Sequence, residues 1–105
     1  MDRNNEQQLK IATAQQPVSV AIQADSLKFQ HYSSGVFDDF TCGNNLDHGV
    51  LIVGYGTSDT QDYWLVKNSW GTSWGEDGYI KLARTNSNNS SGICGIAMDA
   101  SIPII

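Results

Sequence analysis

Two apolar runs, Val50-Leu51-Ile52-Val53 and Tyr63-Trp64-Leu65-Val66, flank a segment of glycines and short polar residues. Short runs rich in β-branched and aromatic residues, separated by turn-forming chemistry, read as the two strands of a hairpin. The predicted strands are His48 to Gly54 and Tyr63 to Asn68, closed by a loop from Gly56 to Gln61 that carries Thr57-Ser58-Asp59. In an antiparallel pair, the beginning of one strand lies beside the end of the other. His48 and Asn68 are therefore expected to be neighbours on a sheet, although twenty positions separate them in the chain.

Around this hairpin the rest of the chain falls into short elements. Asn5 reads as a helix N-cap with Gln8 three residues on, opening a helix over Leu9 to Ala14 that stops before Pro17. Its apolar stripe is thin, with Leu9, Ala12 and Thr13 on one face and Ile11 elsewhere, so packing must hold it. Val18 to Ile22 alternates with period two and predicts a strand. Ser26 to Tyr32 predicts a helical turn and Gly35-Val36-Phe37 a short bridge. Further strands are expected over Gly78 to Ala83 and around Ile93 to Ala97, with loops at Ser69 to Asp77 and Asn86 to Gly92. No repeat or linker interrupts residues 1–105, which predict one mainly β domain with one short helix: a small, antiparallel, partly open barrel.

Composition narrows the function. A 40% apolar and 16% charged chain of 105 residues is that of one folded domain. Six basic residues form no stripe, and the net charge is −5, which argues against nucleic acid. No apolar run approaches the roughly 20 residues that span a bilayer, so no membrane partner is expected. Met1-Asp2-Arg3-Asn4 does not read as a secretory signal, yet Asn88 and Asn89 begin overlapping glycosylation sequons. The two cysteines, Cys42 and Cys94, suffice for one disulfide, which needs an oxidising compartment. A chain cut from a longer secreted precursor accounts for both.

His48 and Asn68 carry the candidate chemistry. A side-chain amide bonded to one imidazole nitrogen fixes tautomer and ring orientation and frees the other nitrogen to face a nucleophile. Trp70, two residues on, is placed to cover that bond and keep water from competing for it. Trp64 and Trp74 read as core and loop-pinning aromatics.

Gln16-Pro17-Val18-Ser19-Val20-Ala21, Leu46-Asp47-His48-Gly49-Val50, Val53-Gly54-Tyr55-Gly56 and the run Lys67 to Glu76 resemble the C-terminal half of papain-family cysteine peptidases. The ending Cys94 to Ser101 fits as well, and the plant, cathepsin L-like branch is the most similar. The resemblance runs from about Asn5 to the end. It implies the right-hand domain of the papain-like α+β fold, with His48 as catalytic histidine, Asn68 as its orienting residue and Trp70 as their shield. It also implies a Cys42–Cys94 disulfide and a substrate pocket containing Ala21, Leu46, Asp47, Gly49 and Asp99. A carboxylate at Asp99 would favour Arg or Lys in that pocket; turned to solvent, it would leave the pocket hydrophobic. The family uses no metal and no organic cofactor, and its members are secreted, vacuolar or lysosomal.

The family's nucleophile, a cysteine opening a long helix in a Gln-x-Gly-x-Cys-Trp setting, has no counterpart here. Cys42 sits in a Thr-Cys-Gly-Asn turn without a helix N-terminus to lower its pKa, which leaves a reactive Cys42 a minor alternative. A zinc site from Cys42, Cys94, His48 and His31 is another, though no close ligand pair supports it. Ile102 stands where the family has an aromatic before Pro103. Two functions follow: the His/Asn half of an endopeptidase whose N-terminal helical half supplies the cysteine, acting on peptides, or a truncated, inert binding module. Alone the chain is expected to be inactive, and to self-associate through the face that the helical half would cover.

Overall fold

The computed structural model describes residues 4–86 and 90–101. Its main helix, α1 (Glu6–Gln15), begins as expected, with the Asn5 side chain accepting the Gln8 N–H. Leu9 and Thr13 are buried and Ile11 is 64% exposed, so the thin stripe faces the core. Strand β1 (Val18–Ile22) has the predicted bounds. The expected helical turn is a short helix α2 (Leu27–Gln30), capped by Ser26, and the expected bridge is the two-residue strand β2 (Val36–Phe37). Then come β3 (His48–Ser58), β4 (Gln61–Lys67), β5 (Tyr79–Ala83) and β6 (Ala100–Ser101).

These form a six-stranded sheet in the order β2-β5-β4-β3-β1-β6. Its edges are β2 and β6, so the expected partly open barrel is an open sheet. All pairings are antiparallel except the parallel β2–β5. One face is the core, where Val18, Val20, Ile22, Val50, Ile52, Trp64, Val66, Ile80 and Leu82 meet Leu9 of α1 and Phe29 of α2. The alternate residues Ser19, Gly49, Leu51, Leu65 and Lys67 point to the opposite face, as the pleat requires. Beside that face lies a recess of about 420 Å³ lined by Ser19, Gly49, Leu51, Lys67, Asn68 and Ser69, together with Val20 and Val50.

Two expectations need correction. The hairpin loop is shorter than predicted: β3 runs to Ser58, and only Asp59 and Thr60 form the turn, both with positive φ. Such a primed turn matches the twist of paired strands. Gly54 and Gly56 lie inside the strand, where a bulge at Val53 shifts register and the Tyr63 ring crosses close to Gly56. The strand expected around Ile93 to Ala97 is instead a tight 3-10 turn, Ile93–Gly95. Cys94 and Gly95 take left-handed φ there, which breaks a strand's period, and the last pairing moves on to Ala100–Ser101.

Candidate active site

The hairpin does bring His48 and Asn68 together. His48 opens β3 and Asn68 follows directly on β4, whose last pair is Lys67 with Leu51. His48 Nε2 lies 2.7 Å from Asn68 Oδ1. The Ser69 backbone N–H donates to the same oxygen at 2.7 Å, which fixes which end of the amide is oxygen. Because that oxygen can only accept, His48 Nε2 must be the donor. The neutral ring is then the Nε2–H tautomer, with the lone pair on Nδ1 available as a base. Asn68 is buried, and its backbone N–H donates to Gly78 O at 3.0 Å.

Trp70 stacks on the imidazole with ring centroids 5.1 Å apart and an interplanar angle of 27°. Behind it stand Phe29 and Trp74, both edge-on to the indole. The Trp74 indole donates to Gln30 O, so this residue pins the loop as expected, while Trp64 is wholly buried in the core. Sequence reasoning missed Phe29, because nothing local announces that α2 will meet a loop forty residues later. It also missed Gly78, whose signal was the spacing of Gly71, Gly75 and Asp77-Gly78 in one short loop.

Ala21 and Gly49 oppose one another across β1 and β3, and the Ala21 N–H donates to Asp99 O at 3.2 Å. Those pocket candidates therefore share one end of the sheet, with the Asp99 side chain exposed. Leu46 is half-buried and approaches Gly95, beside Met98. Asp47 accepts the Ala24 N–H at 2.9 Å and so ties down the chain leaving β1. Cys42 and Cys94 form a disulfide, both buried, which joins a 3-10 turn at Phe40–Cys42 to the one at Ile93–Gly95. Reactive Cys42 and a Cys42–Cys94 zinc site are thereby excluded. His31 is exposed, and among the described residues no cluster of metal-ligating side chains occurs. The sequons at Asn88 and Asn89, and Ile102, lie outside the described residues.

An imidazole oriented by a buried amide and roofed by an indole keeps one ring nitrogen free to act as a base. The papain family cysteine protease model matches residues 1–104, and the chain belongs to that family. It is 61% identical over 96% of its length to the probable cysteine protease RD21B of Arabidopsis thaliana, and 56% identical over 96% to the oryzain beta chain of Oryza sativa subsp. japonica. It spans 21% of the length of each of these relatives. Among solved structures, bromelain from Ananas comosus, in complex with the E64 inhibitor, superposes with a TM-score of 0.87 at 52% identity. That match covers 93% of this chain and 45% of the bromelain chain. The proform of the ragweed pollen cysteine protease Amb a 11 gives a TM-score of 0.88 at 47% identity, covering 96% of this chain and 30% of the other.

Proposed function

We propose that the chain is the histidine- and asparagine-bearing part of a cysteine endopeptidase that cleaves peptide bonds through an acyl-enzyme. The observation that carries this reading is the 2.7 Å bond from His48 Nε2 to Asn68 Oδ1. It leaves Nδ1 as the nitrogen that takes the proton of an attacking thiol and returns it to the leaving amine. A neutral amide orients the ring without neutralising it, so a protonated His48 stays free to pair with a thiolate. Trp70 keeps water off the bond on one face of the ring.

Both cysteines of the chain are joined to each other, so the nucleophile and an oxyanion hole come from a separate, cysteine-bearing helical domain. The sheet face beside the 420 Å³ recess, which Asn68 helps to line, is where that domain docks. Without it, the imidazole and amide give little acceleration, and the chain alone is inactive. The substrate's side chain two residues before the cut lies against Ala21, Leu46 and Gly49, with Asp47 and Asp99 nearby. Asp99 is exposed, the case that leaves this pocket hydrophobic, so Leu is taken there at least as well as Arg or Lys. The disulfide fits a secreted or vacuolar setting.

The test mixes the chain with the cysteine-bearing half of a papain-like enzyme. It follows peptide hydrolysis and labelling of the cysteine by an epoxide or iodoacetamide. Turnover only in the mixture, abolished by His48→Ala, supports the reading. A stable complex without turnover supports an inert binding module instead. In the active mixture, a clear preference for Arg-containing over Leu-containing peptides would refute this reading of the pocket.

A further inference from the structure

We infer that Gly78 is a positioning residue for the His48–Asn68–Trp70 group, holding it from both sides without touching any reacting atom. The inference rests on the assignment of these three residues as a catalytic group.

Gly78 is buried in the turn directly before β5 and has φ +91, a conformation that side-chain-bearing residues rarely adopt. Its carbonyl accepts the Asn68 N–H at 3.0 Å. That bond fixes the backbone from which the orienting amide projects, just past the last pair of β4. On its other side, Gly78 lies against the loop that carries Trp70. A Cβ at this position would sit 3.2 Å from Gly71 O and 3.7 Å from Thr72 Cα. Gly78 N–H donates to Trp74 O at 2.8 Å, and Trp74 N–H donates to Gly71 O, so the loop folds back on itself at this contact.

One residue therefore touches the backbone of Asn68 and the backbone directly after Trp70. The absence of a side chain lets the two approach. A methyl group would push Gly71 away and carry Trp70 off the imidazole face. Moving Gly78 back to relieve the clash would instead stretch the bond to Asn68. Either way, the ring loses one of the two contacts that set its tautomer and orientation.

The experiment is NMR of the whole chain with ¹⁵N-labelled histidine, recorded with the imidazole neutral. Exposed His31 serves as the internal reference. The unmodified chain is expected to show His48 as one Nε2–H tautomer, with a downfield, slowly exchanging proton and ring signals shifted by Trp70. Gly78→Ala, with a dispersed amide spectrum retained, is expected to lose the slow proton, mix tautomers and lose the ring shift. Gly35→Ala is the control for strain alone: φ there is +82, and a Cβ meets nothing within 4 Å. It is expected to leave His48 unchanged.

Should Gly78→Ala not fold, Gly71→Ala replaces it. Its Cβ meets open space, but its φ of +91 strains the same contact from the other side, and partial loss is expected. A folded variant at either position that keeps one tautomer and the full ring shift overturns the inference. The readout needs no turnover, so such a result leaves the peptidase reading standing. An intact signature with no activity in the mixture overturns the peptidase reading alone.

Discussion

At position 6 a carboxylate with no exposed surface accepts the Trp64 indole N–H at 2.9 Å, the Thr85 N–H at 3.2 Å and the Thr85 hydroxyl. It joins the first turn of α1 to two strands' worth of chain far away in sequence. Glu6→Ala leaves the indole and amide donors without a partner inside the protein, and is expected to cost about 3 kcal/mol. Urea unfolding measures this, and a loss below ~1 kcal/mol would mean that water replaces the carboxylate. Tyr32 shows the opposite electrostatic case. Its hydroxyl lies within hydrogen-bond distance of Gly35 O and Glu76 Oε2. Burial pushes its pKa far above the ordinary value of 10.0, and the Glu76 carboxylate adds to the rise while the Lys81 N–H opposes it. Because the folded value is the higher one, the folded state holds this proton more tightly. The stability it contributes is complete below about pH 10 and falls as pH rises beyond that. Tyr32→Phe, which cannot ionise, is expected to flatten that alkaline loss in melts recorded from neutral pH upward. An unchanged slope would assign the loss to other groups.

The β3–β4 hairpin shows how far local pattern reaches. Antiparallel pairing follows from two apolar runs and a polar connection, and it was enough to place His48 beside Asn68. Val18 to Ile22 was equally legible, because its period of two is bounded by Pro17 and a polar exit. The turn was not, since Asp59-Thr60 lacks the usual glycine and the two glycines inside β3 look like a loop. Nor was the fold of Ile93 to Ala97, where a bond to Cys94 from fifty-two residues away holds a left-handed backbone that apolar composition alone suggests is a strand. In the site, the histidine and its amide were readable from spacing, while the support behind Trp70 depends on contacts no local pattern encodes. The turn also makes a prediction. Thr60 is β-branched and sits at φ 68, a costly conformation for such a residue. Thr60→Gly removes that cost and is expected to stabilise the chain by about 1 kcal/mol, partly offset by the freer unfolded glycine. Denaturant midpoints measure it, and no rise would mean that the turn's strain is already relieved.

For the molecule as a whole, the two faces of the sheet are unequal. One is covered by α1, α2 and the two 3-10 turns, and holds the wholly buried side chains. On the other, half-buried Leu51 and Leu65 stand among Ser19, Gly49 and Lys67, with a second recess of about 340 Å³ lined by Val53, Leu65 and Tyr79 and by the charged Glu76, Asp77 and Lys81. Trp70, at the end of this sheet, keeps 39% of its surface exposed. The bromelain chain, of which this match covers 45%, contains further structure beyond the matched part. Apolar area left open in this way seeks a partner, and with none supplied the nearest is another copy of the chain. The unmodified chain is therefore expected to self-associate, with light-scattering mass rising above the monomer's as concentration increases. A charge on that face, Leu51→Asp, opposes burial of the same surface and should return the monomer. It leaves the core face untouched, because Leu51 points away from Val50 and Ile52. Adding the cysteine-bearing half should compete with self-association in the unmodified chain and bind Leu51→Asp poorly. A chain that stays monomeric at high concentration, or a Leu51→Asp variant that associates as before, would show that this face is not the one that needs covering.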